Sequence, residues 1–347
     1  DVYKRQSDWR LSQADVKQKM GEAGRDGYWL LELIERQASS EVQELSEVEI
    51  LRTVLAQQYK REKGKIRVRK PPIKGKGIVI NPHETEARWA KKRSTQWRGY
   101  KVHVTETVVD KEEEESEGDP DASFITDIET SSANDGDNEV VEDIQARLIE
   151  RDLKSQKHFV DQGYISGPNL AHSAAKGIIL IGPAPANTSL KPEGYRQSDF
   201  HLDWERQQAT CPQGQMSAIW YPRPQEDGYV GAEIQFRANC DGCSEREQCA
   251  PGKSGRTLTI SPYHQHLEDR RAEQQSEEFW IEMKQRPAIE GTLSALVRKH
   301  GLRRARYRGQ AKVHLQHLFT GAAANMKRLA RTLAVQQRHQ VAMATGC

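Results

Sequence analysis

Four cysteines stand in turn-rich sequence at spacings that suit a soft metal ion. Cys211 opens Cys-Pro-Gln-Gly, Cys240 and Cys243 enclose a Cys-Asp-Gly-Cys turn, and Cys249 follows after five intervening residues. Four thiolates fit tetrahedral zinc at about 2.3 Å, and a Cys-x-x-Cys turn brings two sulfurs to one ion without straining the backbone. A closed four-sulfur site leaves no open position for substrate, so this Zn²⁺ is expected to be structural. The alternative is a set of buried or surface thiols without metal. Cys347, at the extreme end of the chain, lies outside the set.

Two carboxylates have surroundings that suit a metal ligand or an acid beside a phosphate-binding surface. Asp161 closes the apolar run HFVD before Gln162-Gly163-Tyr164, which places its carboxylate at a strand end beside a tight turn. An Asp before a Gly-containing turn is otherwise a cap or turn former. Glu290 lies in MKQRPAIEGTLSALVRKHGLRRARYRG, where Pro287 can open a helix, Arg286 stands one turn earlier, and Leu293, Leu296 and Val297 form a packing stripe. Its ordinary role is that of a first-turn Glu favouring the helix dipole. The basic run that follows, Arg298, Lys299, Arg303, Arg304, Arg306 and Arg308 around Tyr307, offers a phosphate-binding surface next to it.

The elements that must hold these groups change character along the chain. From Leu11 to Tyr59 apolar residues recur at three- and four-residue steps, and Ser40 with Gln43 and Ser46 with Glu49 have capping-box spacing. Residues 1–66 are expected to form a small helical region, and 67–98 a basic linker broken by Pro71, Pro72 and several Gly. Gly99 to Thr107 alternates as a half-buried strand, Ser123 to Thr130 is a second, and a helix spans roughly Glu139 to Arg151. The segment from His158 through Pro168–Lys176 to Gly177–Gly182 reads strand, helix, strand, which indicates an α/β layered sheet. Residues 99–186 thus form the first part of a core, 187–266 an insertion holding the cysteines, and 267–335 a helical second part of the core.

The 347 residues are 36% hydrophobic and 29% charged, with a net charge of only +2. That sum conceals two opposed patches. Lys60 to Lys101 holds fifteen Lys or Arg against three Glu, whereas Asp110 to Asp121 holds eight acids and one Lys. The first could bind a phosphate backbone with counterion release, or be a solvated linker. The second is too charged and too poor in apolar residues to pack, and is expected to be a mobile loop. There is no run of eighteen apolar residues and no signal-peptide core, so a cytoplasmic protein without membrane contact is expected. The opening Asp1–Gln6, DVYKRQ, resembles translated sequencing-adapter DNA and is set aside as an artefact.

The motifs GYKVHVTET, FVDQGY, the four-cysteine insertion, RPAIEGTLSALVRKHGLRRARYRG and AAANMKRLA occur in that order. Together they resemble insertion-sequence transposases with an Asp-Asp-Glu triad, in the insertion sequence 1182 group. The resemblance implies an RNase H-like mixed sheet with flanking helices. In that fold carboxylates from two strands and a helix hold two Mg²⁺ ions, which activate the attacking oxygen and stabilise the leaving one. Asp161 matches the second acid and Glu290 the third. Arg286 matches an arginine that contacts phosphate, joined in DNA binding by Lys101, Arg298, Arg303, Arg304, Arg306 and Arg308. Met283 stands where related enzymes often have Tyr.

The first Asp has no match. Glu84 and Glu86 in HETEARW resemble an acid-x-x-Ala-Arg pattern of the family but end no apolar strand, and Asp137 reads as structural or substrate-proximal. The first Asp is therefore expected upstream of Asp1, the chain being N-terminally truncated and catalytically incomplete by itself. The partners implied are double-stranded DNA, as terminal inverted repeats and target, and a second copy of the chain assembled on it. The competing reading is a non-catalytic DNA-binding zinc protein, distinguished by whether Asp161 and Glu290 converge.

Overall fold

The structure is a computed structural model that describes residues 12–70, 75, 77–108, 123–187, 193–250 and 252–345. The acidic tract and the opening hexapeptide lie outside the described residues, as do Lys74 and Lys76 of the basic stripe. The chain forms two compact units. One comprises Asp1–His103, Glu129–Asp135 and Gly301–Gly321, the other Val104–Ile128, Gly136–His300 and Ala322–Cys347.

The first unit begins with helices α1 (Gln13–Gln37), α2 (Ser40–Gln43) and α3 (Ser46–Gln58). The α1 start is fixed by a capping box in which Ser12 Oγ accepts from Asp15 N at 3.2 Å and Asp15 returns to Ser12 N. The two capping boxes expected further on do not form. The residue before each helix start is Ser39 or Leu45, with no side-chain cap bond. Gln43 instead turns back to the carbonyls of Glu35 and Ala38. Leu31, Val48, Leu55 and Tyr59 form the core of this region.

The end of the region expected to be helical forms a hairpin, and the expected linker is partly built into strands. Strands β1 (Tyr59–Glu62) and β2 (Lys65–Val68) pair as a hairpin through Lys63 and Gly64, both at positive φ, the backbone of a two-residue turn. Strand β3 (Arg88–Lys92) pairs with β4 (Thr95–Glu106), and β5 (Ile125–Ser132) completes an antiparallel sheet in the order β3-β4-β5. In β2 basic side chains alternate with apolar ones, Lys65 and Arg67 exposed and Ile66 and Val68 half-buried, so high charge did not prevent one face of that strand from packing.

In the second unit, α4 (Val141–Glu150) leads to β6 (Lys157–Phe159), α5 (Gly167–Ala175) and β7 (Ile179–Ile181). β6 and β7 pair in parallel, as a strand-helix-strand crossover requires. Val141, Val160, Ile165, Leu170, Leu180 and Ala184 fill the space between them and the helices. The insertion follows: hairpin β8 (His201–Asp203) and β9 (Gln208–Thr210), then the antiparallel sheet β10 (Ile219–Pro224), β11 (Val230–Gln235) and β12 (Thr257–Ile260), with α6 (Arg246–Cys249) between the last two. Phe200, Ala209, Ala232, Ile234, Phe236, Leu258 and Ile260 form its own core. Helices α7 (His264–Glu273), α8 (Glu277–Met283), α9 (Ala288–His300) and α10 (Gln310–Thr345) complete the chain, α10 running from the first unit into the second.

The architecture is mixed α/β, as expected, but a single mixed sheet does not form among the described residues. The antiparallel β3-β4-β5 and the parallel β6-β7 are separate, the latter pairing over three residues of each strand. Among the described residues no helix is long and apolar enough to cross a membrane.

Candidate active site

Asp161 and Glu290, 129 positions apart in sequence, meet on one guanidinium. Arg286 Nη2 lies 3.0 Å from Asp161 Oδ1 and 2.9 Å from Glu290 Oε1, so these two oxygens stand within about 6 Å of one another. Both carboxylates are open to solvent, with side chains 58% and 64% exposed, whereas Arg286 is 20% exposed. The arrangement is an arginine lying beneath two accessible acids.

Local structure explains each position. Val160 N donates to Ile181 O at 2.8 Å, extending the β6–β7 ladder one residue past the strand, and the chain then turns through Gln162–Tyr164. That turn is closed by backbone bonds, Tyr164 N to Asp161 O at 3.0 Å and Ile165 N to Gln162 O at 3.1 Å. Asp161 precedes it but makes no side-chain cap bond, so its carboxylate is not spent on the turn. On the other side, Ser276 caps α8, whose Phe279 and Met283 pack against Ile181 and Phe159. This contact brings the α8–α9 junction to the end of β6. Met283, at the position of the expected Tyr, is buried in that cluster and holds α8 on the strands. Pro287 then starts α9, Glu290 N donating to Pro287 O at 3.0 Å, so Glu290 occupies the first helical turn, where the dipole also favours it.

A third acid flanks the pair. A Cβ on Gly163 would lie 2.9 Å from Asp137 Oδ2, so glycine here permits the close approach of Asp137 to the Asp161 turn. Burial pushes the Tyr164 hydroxyl well above its ordinary pKa, and the negative charges of Asp137 and Asp161 push it further, keeping Tyr164 a neutral donor. Asp161, Glu290 and Asp137 present oxygen donors of the kind hard divalent cations take. Among the described residues, however, no group of three or more His, Cys, Asp or Glu side chains is placed to hold a metal ion. The positive charge between Asp161 and Glu290 is that of Arg286.

Glu84 and Glu86 have structural partners in the first unit. Glu84 Oε1 accepts from Tyr100 OH at 3.0 Å and from Gly309 N at 3.1 Å, and Glu86 Oε2 accepts from Gln310 N at 2.6 Å. They hold the residue 301–309 loop and the N-terminus of α10, where a carboxylate is electrostatically favoured. Gln316 secures the same loop through Arg306 N and Arg304 O. The backbone is thereby pinned while Arg303, Arg304, Arg306, Arg308 and Tyr307 are exposed, the arginines without carboxylate partners among the described residues. Arg298 is exposed on α9. Lys101 differs: its Nζ donates to Asp135 O at 2.5 Å and its side chain is half-buried, which ties β4 to the turn after β5.

Cys211, Cys240, Cys243 and Cys249 line one cavity of about 20 Å³ within the insertion, room for a single small ion or water. Gln215 N donates to Cys211 Sγ at 3.3 Å and Arg256 N to Cys240 Sγ at 3.4 Å. The Arg256 guanidinium is buried beside them, donating to the carbonyls of Cys249 and Tyr195, with Nε left without a partner among the described residues. Burial raises the Cys249 pKa, Arg256 opposes that, and the other three thiols add to it. As placed, the four sulfurs do not make up a metal-holding group, so the expected zinc site is gathered but not formed.

Sequence reading missed Glu106, Thr292, Asn325 and Arg328, which interact in the second unit. All four lie within the motifs that carry the resemblance, but their spacing alone assigned them no task.

No curated protein and no solved structure gives a significant match. Residues 210–330, from β9 through the cysteines, Arg286 and Glu290 into α10, match the family model described as Transposase DDE domain, and this supports a transposase function for the chain.

Proposed function

We propose that the protein is an Asp-Asp-Glu transposase that cleaves and joins DNA at the terminal inverted repeats of an insertion sequence, with Asp161 and Glu290 as metal-holding carboxylates in an RNase H-like domain. The observation that carries this reading is the meeting of Asp161 and Glu290 on Arg286. A non-catalytic DNA-binding zinc protein has no use for two distant acids brought together on an accessible surface. Mg²⁺ ions bound there would supply activation of the attacking oxygen and charge stabilisation of the leaving one. The chain's own residues prepare this: the acids stay exposed, Met283 and Phe279 fix the junction, and Arg286 supplies a fork suited to a phosphate oxygen. Arg298 and the loop arginines Arg303, Arg304, Arg306 and Arg308 would hold the DNA backbone, as two copies of the chain assemble on it. Lys101, engaged with Asp135, would contribute less.

The four-cysteine cavity is proposed to take one structural Zn²⁺, which would tie β9 to the turns around β11 and β12. The backbone donors on Cys211 and Cys240 and the buried Arg256 are the surroundings thiolates need. Zinc measured after anaerobic purification should reach one equivalent and fall in Cys240→Ser.

The deciding experiment is Mg²⁺-dependent cleavage of duplexes carrying the element ends by the chain joined to a segment that supplies the first acid. Asp161→Asn and Glu290→Gln should each abolish it while leaving DNA binding intact. Unchanged cleavage in either variant would reject the assignment.

A further inference from the structure

Three motifs that are far apart in sequence, GYKVHVTET, RPAIEGT and AAANMKRLA, meet in the second unit at a buried polar node. Glu106, the last residue of β4, has its side chain only 4% exposed. Its Oε2 accepts from Thr292 Oγ1 at 2.7 Å and from Arg328 Nη1 at 3.0 Å. Arg328 Nη2 also donates to Thr292 Oγ1, and Nη1 donates to Ser123 O at 2.6 Å. The single proton of Thr292 goes to Glu106 and its lone pair receives Arg328, so the hydroxyl is used in both directions. One turn earlier on α10, Asn325 Nδ2 donates to Ile125 O at 2.8 Å and its Oδ1 accepts from Ile125 N at 2.9 Å. These bonds fix α9 and α10 to the ends of β4 and β5.

A buried carboxylate is tolerated only when paired and hydrogen-bonded, and a guanidinium fork imposes direction as well as charge. The node therefore fixes an angle. Thr292 stands two residues after Glu290 on α9, about 200° around the helix. With Thr292 buried against Glu106, Glu290 is turned to the opposite, solvent side, where it meets Arg286 and Asp161. Packing alone would hold α9 less strictly, since Leu293, Ser294 and Ala295 are half-buried and Leu296 is the helix's other deeply buried contact.

We infer that Glu106, Thr292 and Arg328 form a positioning node that sets the rotation of α9 and thereby holds Glu290 opposite Asp161. The inference rests on the reading of Asp161 and Glu290 as a cation site, and its test separates the two.

Thr292→Val keeps shape and removes the hydroxyl, Thr292→Ser keeps the hydroxyl, and Arg328→Lys keeps charge but loses the fork. Mn²⁺ alone, followed by the electron paramagnetic resonance of the free ion, serves as probe for the acids. Hydrogen–deuterium exchange of the peptide spanning residues 286–292 reports the helix start. Thr292→Val should weaken Mn²⁺ binding about tenfold, the scale expected when an outer partner of a ligand is lost, and increase exchange in that peptide. Thr292→Ser should restore both, and Arg328→Lys, which retains the buried charge if Thr292→Val does not fold, should show the same defects. Exchange and Mn²⁺ affinity both within twofold of wild type in folded Thr292→Val or Arg328→Lys would overturn the inference, whatever the change in melting temperature. If the wild-type chain binds no Mn²⁺ that Asp161→Asn removes, the cation reading falls and the exchange data alone decide the node.

Discussion

Arg286 is the residue on which the proposed chemistry turns. It sits between two exposed acids, and each exposed ion pair contributes only about 0 to 1 kcal/mol to folding. Arg286→Gln should therefore lower the melting temperature by no more than about 3 °C while reducing DNA cleavage at least about a hundredfold, since positioned charge at the reacting phosphate is worth that much. A large melting shift with little change in cleavage would mark Arg286 as a structural cation instead. His158, three residues before Asp161, gives a pH dependence. Burial depresses its pKa from 6.5 to about 4, only partly opposed by Asp127, and its Nδ1 has no hydrogen-bond partner among the described residues. The unfolded chain takes up this proton as pH falls below 6.5, whereas the folded chain does so only near 4. Stability should thus be level above pH 6.5 for this group and decline between 6.5 and 4, by roughly 3 kcal/mol at most. Urea titrations of wild type and His158→Phe across that range would show the acid decline shrinking in the variant.

Among elements, the helical start of the chain and the α8–α9 junction were legible to different degrees. The three- and four-residue periodicity of α1 and α3 gave the helices, but Gly24 shows what periodicity leaves out. A Cβ there would come within 2.4 Å of the Tyr59 ring, whose hydroxyl is bonded to Met20 O at 2.8 Å. Gly24→Ala, usually helix-favouring, should here destabilise the first unit by about 1 to 3 kcal/mol through overpacking. Circular dichroism melts would show the loss, and unchanged or raised stability would contradict the contact. At the junction, Pro287 marked the start of α9 in the sequence. That α8 would dock on β6 and β7 through Phe279 and Met283 depended on neighbours about a hundred or more residues away.

At the level of the whole molecule, the uneven charge distribution matters more than the net charge of +2. The four loop arginines are exposed and lack carboxylate partners among the described residues, so each should contribute a released counterion on DNA binding. Replacing Arg303 and Arg306 together by Ala should weaken binding to duplexes of any sequence and reduce the slope of log affinity against log salt by about 2. A loss confined to one sequence would instead indicate base contacts. Lys101→Ala should leave the slope nearly unchanged, because its ammonium is engaged with Asp135 O.

The parts whose signal is local are written in the amino-acid order. Period-3.6 helices, the alternating β4, the strand-helix-strand of β6, α5 and β7, and the cysteine spacing each follow from residues within a few turns of one another. It also singled out Asp161, Arg286 and Glu290, through a motif resemblance and a strand-end position. That these three meet is a product of folding, because a side-chain distance across 129 positions is set by packing of α8 on β6 and β7 and not by either segment. It likewise gave Glu84 and Glu86 to the α10 N-terminus and Lys101 to a backbone carbonyl, where composition had left them available. The Glu106–Thr292–Arg328 node was beyond the sequence for the same reason: a buried polar group is recognised by its partners, and these come from three separate stretches of chain.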